Sequence, residues 1–353
     1  MIIVTLYNHK GGVSKTTTTF NFSHYLASQG KRVLLVDADS QCNLTELCLS
    51  KTIEKLDAEF EKTNVLNELP GTSALDILKP RIDGDVPFVE IDKINPVNIV
   101  KNLDLIRGNV DLTSIENDIA EAHVQRFAAR TNLMRTYVAI GDFLVRFGNH
   151  NKYDYIFIDL GPSSGALTRA FWLACDVFFV PVAPDRFNVQ AIKTLSGIIE
   201  RWIVEHEQIR SDYEKYNLPV RHGRPVFLGA ITQFFKTINE QPKPGFEVWL
   251  KRIPDQIRAY LIPLLEKFSN SEKSLHPIDD DKLIAAQIPD FASLAPIMQE
   301  VGKAVFDISQ EDTAIATKKG QAWSGATWKD AEERMNNFKK CFNQLAERLE
   351  TIG

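Results

Sequence analysis

Apolar and polar positions along the chain form alternating blocks that predict β-strands and α-helices in turn. Short runs that are apolar on both faces are typical of strands buried in a parallel sheet, and they span Ile2–Tyr7, Arg32–Asp37, Leu103–Asn109, Tyr153–Asp159, Asp176–Val182, Val226–Thr232 and Leu283–Ile288. Between them, helical patterns occupy 16–29, Val124–Phe147, Leu167–Ala174, Val189–Glu207, Asp255–Phe268, Ala295–Phe306 and Ala326–Leu349. This alternation predicts an α/β fold with a mostly parallel β-sheet and helices on both faces.

Two stretches interrupt the alternation and predict insertions. Residues 51–93 carry six Lys/Arg against ten Asp/Glu, punctuated by proline and glycine, which indicates a surface excursion with short helices. Its acidic face is either solvated or a docking surface for a partner. Residues 208–281, apart from the strand within them, are rich in charge and proline and predict a second insertion. We therefore expect one domain over residues 1–353, with two insertions and a C-terminal helix at about 326–350.

The composition excludes several classes of protein. The formal net charge is −5 and 44% of the residues are hydrophobic, so a large core is expected, without a global basic field for nucleic acid. The four cysteines form no C-x-x-C pair, which disfavours disulfides and a structural zinc. No apolar run approaches the roughly 18 residues of a membrane span, and the chain enters a strand at once. We therefore expect a cytoplasmic protein without a signal peptide.

A glycine-rich stretch, Asn8–Thr19, lies between the first strand and the first helix. The adjacent Gly11 and Gly12 let the backbone turn its N–H groups inward, and the helix beginning near Lys15 adds a partial positive charge. Lys15 also supplies a full charge, and Thr16 supplies a hydroxyl placed to ligate a metal ion. The stretch therefore predicts a cradle for a nucleotide polyphosphate with Mg²⁺. The alternative is a glycine turn whose lysines lie in solvent.

The loop resembles one particular variant of the phosphate-binding loop. The ordinary pattern G-x-x-x-x-G-K-[ST] requires glycine at positions 9 and 14, where this chain has His9 and Ser14. The motif Lys-Gly-Gly-Val-x-Lys-Thr-Thr instead resembles the deviant Walker A loop of the ParA/MinD group of P-loop ATPases. The resemblance implies that ATP is bound by Lys10, Gly11, Gly12, Val13, Ser14, Lys15, Thr16 and Thr17.

Lys10 and Ser14 are the positions of this loop with the largest consequences. In the family, the first lysine reaches across a dimer interface to the partner's nucleotide. This implies that Lys10 and Lys15 both act in catalysis and that ATP drives a homodimer; a solvent-exposed lysine is the other interpretation of Lys10. At Ser14 the family usually has glycine, and a Cβ there is accepted if φ is negative but otherwise crowds the γ-phosphate. This departure affects the expected rate of hydrolysis more than ATP binding.

Carboxylates follow two of the predicted buried strands. Asp159 ends the strand Tyr-Ile-Phe-Ile-Asp, and Asp37 and Asp39 follow the second strand. Because ligands bind where the carboxyl ends of parallel strands meet, we expect all three near the loop. Asp159 fits the Walker B role, in which it would hold Mg²⁺ through a water while Thr16 ligates the ion directly. The alternative is that Asp159 simply caps a turn, as aspartates at the ends of buried strands commonly do. The residues alone do not rank Asp37 against Asp39. By resemblance to the family's D-x-D-P-Q segment, Asp39 orients or deprotonates the attacking water, and Asp37 supports the Mg²⁺ shell.

Two further segments are assigned by resemblance. Leu160–Gly165, which follows Asp159, resembles the family's switch-like D-x-P-P-S segment, with Gly161 in place of the first proline. Gln233, Pro289 and Asp290 match positions at which the family contacts adenine. An amide both donates and accepts hydrogen bonds, as adenine requires, but a surface glutamine is the alternative for Gln233.

The resemblance also indicates a cellular role. The segments Asp39–Thr45 and Leu103–Asn109 look like ParA rather than MinD. ParA-type proteins form ATP-dependent dimers that bind DNA nonspecifically and move plasmids, chromosomes or protein cargo, and an adaptor protein stimulates their hydrolysis. The basic residues available for DNA here are Arg221, Arg224, Lys236, Lys243, Lys251, Arg252, Arg258, Lys318, Lys319, Lys329, Lys339 and Lys340.

Two alternative functions differ in class from DNA partition. An apolar stripe near the C-terminus either packs on the domain or, as in MinD relatives, binds a membrane; it consists of Phe338, Phe342, Leu345, Leu349 and Ile352. We expect packing, and no membrane partner. The other alternative is a slow nucleotide-sensing switch that binds ATP and barely hydrolyses it, as Ser14 permits.

Overall fold

A central sheet of eight strands organises the computed structural model, which describes residues 1–125, 130–233, 237–238, 241–242, 244–270, 273–317 and 320–352. Its strands are β1 (Ile2–Leu6), β2 (Val33–Asp37), β3 (Val97–Val100), β4 (Leu103–Ile106), β5 (Tyr155–Asp159), β6 (Val177–Val182), β7 (Val226–Gln233) and, after a separate antiparallel pair β8 (Thr237–Ile238) and β9 (Gln241–Pro242), β10 (Ile284–Ile288). Strands β2, β5, β6 and β7 are buried along their whole length, as expected of parallel strands covered on both faces.

The strand order is β10-β7-β6-β1-β5-β2-β4-β3. Each neighbouring pair in this sheet is parallel except β3 with β4. Strand β1 is central, between β5 and β6. Because parallel strands end at the same edge, the loops after β1, β5 and β2 emerge side by side.

Helices cover both faces of the sheet. They are α1 (Lys15–Ser28), α2 (Asn43–Thr63), α3 (Ala74–Asp83), α4 (Glu116–Val124), α5 (Thr131–His150), α6 (Ala166–Ala174), α7 (Arg186–Tyr213), α8 (Pro244–Gln256), α9 (Ile262–Phe268), α10 (Leu294–Val301) and α11 (Gly325–Glu350). Helix α1 packs with α2 and α11, and α2 packs with α10, whereas α4, α5, α6 and α7 form a second group. The predicted α/β fold with a mostly parallel sheet is confirmed.

Several element boundaries differ from the prediction. The helix predicted over Val124–Phe147 corresponds to α5, which begins at Thr131 and continues to His150, whereas Val124 ends α4; residues 126–129 lie outside the described part of the chain. The polar connection predicted from residue 208 begins as helix, because α7 continues to the buried Tyr213. Strand β3 was not predicted, since its residues alternate between half-buried and exposed at the sheet edge and give no continuous apolar run.

Both stretches predicted as insertions contribute side chains to the hydrophobic core. In 51–93, the second half of α2 is exposed, but α3 buries Leu75, Ile77, Leu78 and Ile82. In 208–281, β7 is an internal strand, and the helical segment after it buries Ile253, Ile257, Leu261 and Leu265. The division of the chain into one domain with two insertions stays a prediction.

Helix α11 returns the C-terminal part of the chain to the sheet. It packs against α1 and β10, and its apolar stripe is at most 3% exposed at Phe338, Phe342, Leu345 and Leu349. The ring of Phe342 lies 5.7 Å from that of Phe306. The stripe therefore belongs to the core rather than to a free amphipathic surface. Among the described helices, none combines the length and the apolar character needed to cross a membrane.

Candidate active site

The predicted phosphate loop and the three predicted aspartates meet at one edge of the sheet. Strand β5 lies between β1 and β2, and in the ladder Asp159 pairs with Leu6 on one side and with Asp37 on the other. The glycine loop leaves β1 at this edge, and Asp39 follows β2. The topology therefore brings together residues that are up to 150 positions apart in the sequence.

The glycine loop makes its turn with left-handed backbone at two positions. Gly12 has φ 70°, and Ser14, the residue before α1, has φ 54° and ψ 30°. Left-handed backbone costs a residue with a Cβ roughly 1–2 kcal/mol relative to glycine. The negative φ that would have accommodated a side chain at Ser14 is therefore absent, and this position is strained. The Ser14 hydroxyl offers no compensation, since it does not cap α1.

Lys15 is folded back onto the loop that carries it. Its Nζ donates to the backbone oxygens of Asn8 at 3.2 Å and Lys10 at 3.0 Å, and the residue is only 7% exposed. Burial lowers the pKa of Lys15, while the carboxylates of Asp159 and Asp39 oppose this change. The ammonium is thus held at the centre of the loop, near two carboxylates.

Asp159 is buried without a hydrogen-bond partner. It is 1% exposed, and neither carboxylate oxygen accepts a hydrogen bond from the described residues. Burial raises the pKa of Asp159 well above its ordinary value, and the charge of Asp37 adds to the rise; the nearby Thr16 hydroxyl and Lys15 oppose it, although Thr16 does not reach hydrogen-bond geometry. A buried carboxylate with both oxygens unpaired is costly unless a cation or a donor completes it.

Asp37 already has a full set of partners. Its Oδ2 accepts from the N–H and the hydroxyl of Thr45 at 2.8 and 2.6 Å, and its Oδ1 accepts from the N–H of Asp39 at 3.2 Å. Thr45 in turn accepts from the N–H of Gly108 at 2.7 Å. Burial raises the pKa of Asp37 to about 6, against the lowering effect of the Thr45 bonds. Asp37 therefore ties the start of α2 to the ends of β2 and β4.

Asp39 differs from Asp37 because it faces a groove. It is 8% exposed, and its Oδ1 accepts only from the N–H of Gln41, at 3.0 Å, within the loop. The groove has a volume of 1190 Å³ and extends from the glycine loop between α2 and α10. That volume exceeds the roughly 300–1,000 Å³ of ordinary ligand sites. Structure, rather than sequence, thus separates the two aspartates.

Seven of the eight predicted phosphate-loop residues line this groove, whereas Lys10 and the predicted adenine contacts do not. Its walls include Gly11, Gly12, Val13, Ser14, Lys15, Thr16, Thr17 and Asp39. Gln233 lies at the end of β7, 3% exposed, and its Nε2 has no partner among the described residues. Asp290 accepts from the N–H of Ala292 at 2.8 Å, in the turn after Pro289. The structure therefore does not bring these three residues into the groove.

The oxygen ligands available at this site fit Mg²⁺, which binds few protein groups, better than they fit a metal ion that needs a full set of protein ligands. No group of three or more His, Cys, Asp or Glu side chains in the described part of the chain is arranged as a metal cage. Mg²⁺ is typically held by one or two protein oxygens together with waters and phosphate oxygens. The unpaired carboxylate of Asp159, with the Thr16 hydroxyl nearby, meets that requirement.

Three residues that position the site were missed in the sequence. The side chain of Asn8 forms hydrogen bonds with the backbone oxygen of Pro181 and the backbone N–H of Lys10, and the hydroxyl of Thr45 donates to the carboxylate of Asp37. The hydroxyl of Tyr7 donates to the backbone oxygen of Ser163 at 3.1 Å and so joins the loop strand to the switch-like segment. Their residue types could be read in the sequence, but the contacts of Asn8 with Pro181 and of Tyr7 with Ser163 span 173 and 156 positions, so no local pattern predicts them.

Comparisons with known proteins agree with this geometry. The family model AAA_31, described as an AAA domain, matches residues 1–211. The chain is 31% identical over 204 residues to the sporulation initiation inhibitor protein Soj of Bacillus subtilis, covering 58% of this chain and 66% of Soj. It is 30% identical over 200 residues to the chromosome partitioning protein ParA of Caulobacter vibrioides, covering 56% of this chain and 62% of that protein. The chain thus spans less than two thirds of the length of these curated relatives.

Solved structures extend the likeness to most of the fold. A protein from Corynebacterium diphtheriae matches with a TM-score of 0.64 and 25% identity, over 86% of this chain and 97% of that one. The structure of apo McdA from Cyanothece matches with a TM-score of 0.58 and 16% identity, over 99% of both chains. The chain therefore belongs to the AAA_31 family and is a ParA-type member of the P-loop ATPases.

Proposed function

We propose that this chain is a nucleotide-driven dimeric switch of the ParA type. It binds ATP with Mg²⁺ in the glycine loop, pairs with a second copy in the ATP state, and separates after hydrolysis to ADP and phosphate. In the paired state it binds DNA nonspecifically and positions DNA or another cargo. An adaptor protein stimulates the otherwise slow hydrolysis.

The unpaired carboxylate of Asp159 is the observation that carries the proposal. A buried acid whose oxygens accept no hydrogen bond from the described residues, close to the P-loop lysine, is stabilised by a bound cation. Thr16 and Asp159 would hold Mg²⁺, Asp159 through a water, and Asp37 would support that shell from behind. When bound, Mg²⁺ neutralises charge that develops on the phosphate oxygens.

Each remaining residue of the site has a role that its position allows. The N–H groups of Gly11 to Thr17 at the start of α1 would hold phosphate oxygens, and Lys15 would move from its backbone contacts to the β- and γ-oxygens. Asp39, at the groove, would orient or deprotonate the attacking water. Gln233, whose buried Nε2 has no partner among the described residues, would meet the adenine beside Pro289 and Asp290, outside the groove that the phosphate loop lines.

Lys10 would couple nucleotide state to assembly. It lies in the loop, half-buried, and its backbone is held by Asn8 and Lys15. In the proposed dimer its side chain reaches the partner's ATP, so that the paired state is favoured only while a γ-phosphate is present. Hydrolysis then removes the differential contact and the copies separate.

The proposal of DNA binding rests mainly on resemblance to the family, because several of the candidate basic residues already form ion pairs with acidic side chains. Arg221, Arg224, Lys251 and Arg258 form ion pairs with Asp176, Glu207, Glu247 and Asp255 respectively. Lys236, Lys243, Lys318 and Lys319 lie outside the described residues. Lys329, Lys339 and Lys340 are exposed along α11. We assign the DNA contact to these lysines, which a dimer doubles.

ATP turnover with and without DNA tests this function. The full chain with Mg²⁺ should release phosphate slowly, and more quickly with DNA and adaptor. Asp159→Ala should abolish turnover while the fold is retained. The double variant Lys339→Ala/Lys340→Ala should keep basal turnover. It should weaken ATP-dependent DNA binding and make that binding less sensitive to salt concentration. ATP binding with no measurable turnover under any condition would instead favour the slow nucleotide-sensing switch, for which the strained Ser14 is the supporting observation.

A further inference from the structure

The side chain of Asn8 joins the end of β1 to the backbone of Lys10. Asn8 is 1% exposed. Its Nδ2 donates to the backbone oxygen of Pro181 at 2.8 Å, and its Oδ1 accepts from the N–H of Lys10 at 3.1 Å. The orientation of the amide is determined by chemistry, because a carbonyl only accepts and an N–H only donates.

The contact with Pro181 continues the sheet after β1 has ended. In the ladder to β6, the N–H of Tyr7 donates to the backbone oxygen of Phe179 at 3.0 Å. The next oxygen on the same side of β6 belongs to Pro181, two residues further along. Asn8 reaches that oxygen with its side chain, so the backbone is free to form the loop while the loop stays attached to the sheet.

The contact with Lys10 fixes the direction in which the chain leaves this anchor. An Asn side chain that accepts from the N–H two residues on forms an Asx-turn, which restricts the backbone between them. The backbone oxygens of Asn8 and Lys10 also share the Nζ of Lys15, at 3.2 and 3.0 Å. Both lysines of the motif are therefore positioned relative to Asn8.

We propose that Asn8 is the positioning residue for Lys10, and that it sets the ATP-dependent affinity between two copies of the chain. The inference rests on the proposed function, because it requires Lys10 to act across the interface. Asn8 meets both contacts because its amide is short and carries one donor and one acceptor group. Serine retains an acceptor for the N–H of Lys10 but is too short to reach the backbone oxygen of Pro181, and alanine loses both contacts.

The test separates dimer affinity from nucleotide affinity in the full-length chain. Dimer dissociation constants are measured by sedimentation with Mg²⁺ and AMP-PNP, and monomer affinity is measured with a fluorescent ADP analogue. Asn8→Ala should weaken the dimer about tenfold, the effect of roughly one buried hydrogen bond, and change ADP affinity less than about threefold. Asn8→Ser should be intermediate. Asn8→Ala combined with Lys10→Ala should be no weaker than Lys10→Ala alone, since the two act through one contact.

Asn21→Ala is the matched control. Asn21 is also fully buried and also bonds two backbone groups, the oxygen of Thr17 at 2.8 Å and the N–H of Val305 at 2.7 Å. It should lower the unfolding midpoint without changing the dimer constant. If Asn8→Ala prevents folding, Asn8→Ser carries the test, because its hydroxyl is neutral and can still accept from the N–H of Lys10.

Three results would overturn the inference. They are wild-type dimer affinity in the Asn8 variants, an equal loss of dimer and ADP affinity, and additive effects of Asn8→Ala and Lys10→Ala. A wild type that stays monomeric with AMP-PNP would remove the proposed function itself, and this inference with it. A wild type that dimerises beside an unaffected Asn8→Ala would remove only the inference.

Discussion

The carboxylate of Asp39 lies directly against the backbone of Gly161: a Cβ at position 161 would stand 3.0 Å from both its Cγ and its Oδ1. That distance is shorter than an ordinary van der Waals contact, so a side chain at 161 would push the carboxylate away. The switch-like segment therefore forms one wall of the position that Asp39 occupies. The glycine that departs from the family's D-x-P-P-S pattern has a direct structural consequence at the groove.

Gly161→Ala tests whether the position of Asp39 matters for chemistry. The new methyl group should displace the carboxylate by a few tenths of an ångström and strain its bond to Gln41. Because a misplacement of about 1 Å can cost about 100-fold, kcat should fall roughly two- to fivefold, with ATP affinity retained. Steady-state phosphate release measures this. Gly197→Ala is the control, since its added Cβ would have no described heavy atom within 4 Å other than those of its chain neighbours and its own helix backbone; equal kcat in both variants would contradict a role for this contact.

Ser14→Gly should stabilise the protein. Relief of the left-handed strain exceeds the extra backbone entropy of glycine, so the free energy of unfolding should rise by about 0.5–1 kcal/mol. Turnover should also increase, because the Cβ near the γ-phosphate is removed. Urea unfolding and phosphate release give the two readings. Ser14→Ala keeps the strain and should change stability by less than about 0.5 kcal/mol; stabilisation by alanine as well would show that backbone strain is not the cause.

The buried Asp37 should make the free energy of unfolding depend on pH in the direction opposite to that of most aspartates. Burial raises its pKa in the folded chain to about 6, above the value of about 3.9 in the unfolded chain. Between these values the folded state binds more protons, so its contribution to the free energy of unfolding declines as pH rises from about 4 to about 6. Wild type and Asp37→Asn should be compared by urea unfolding from about pH 3 to about pH 8, a range that brackets the two pKa values. The stability of wild type minus that of the variant should fall in this window and then level off; a rise would contradict the assignment.

Phe342→Ala should distinguish a core helix from a membrane helix. The ring is fully buried against the fold, so truncation should cost about 3–5 kcal/mol. Urea unfolding measures this cost, and the exposed Lys340→Ala is the control on the same helix. Liposome flotation of wild type should show no binding. Little loss of stability together with binding to anionic vesicles would favour the membrane alternative.

The sequence predicted those parts of the fold that are encoded by continuous apolar runs. Strands such as β5 are buried on both faces, so their residues form a continuous apolar run that can be recognised in the sequence. Because Asp159 ends such a run, the sequence also places it at the carboxyl end of a strand. Strand β3 shows the limit: half of its residues face solvent, and its pairing with β4 depends on the finished sheet. The start of α5 at Thr131 was likewise not predicted, because apolar residues at helical spacing, such as Phe127, precede it in the sequence.

At the site, the loop chemistry could be predicted, but the supports of that chemistry could not. Lys15 and Thr16 are recognisable by spacing alone. Asn8 is not recognisable, because its structural role depends on a hydrogen bond to the backbone oxygen of Pro181, which lies 173 positions away. Asp37 and Asp39 look alike in the sequence. The structure distinguishes them, because Thr45 donates two hydrogen bonds to Asp37 whereas Asp39 faces the groove.

The association of two copies in the presence of ATP tests the central claim most directly. Light scattering after gel filtration would compare wild type, Lys10→Ala and Asp39→Ala, each with and without ATP and Mg²⁺. The 39.9 kDa chain should be monomeric without nucleotide. With ATP, wild type should dimerise, Asp39→Ala should dimerise more persistently because hydrolysis is blocked, and Lys10→Ala should stay monomeric. Monomers of both wild type and Asp39→Ala in saturating ATP would contradict the account.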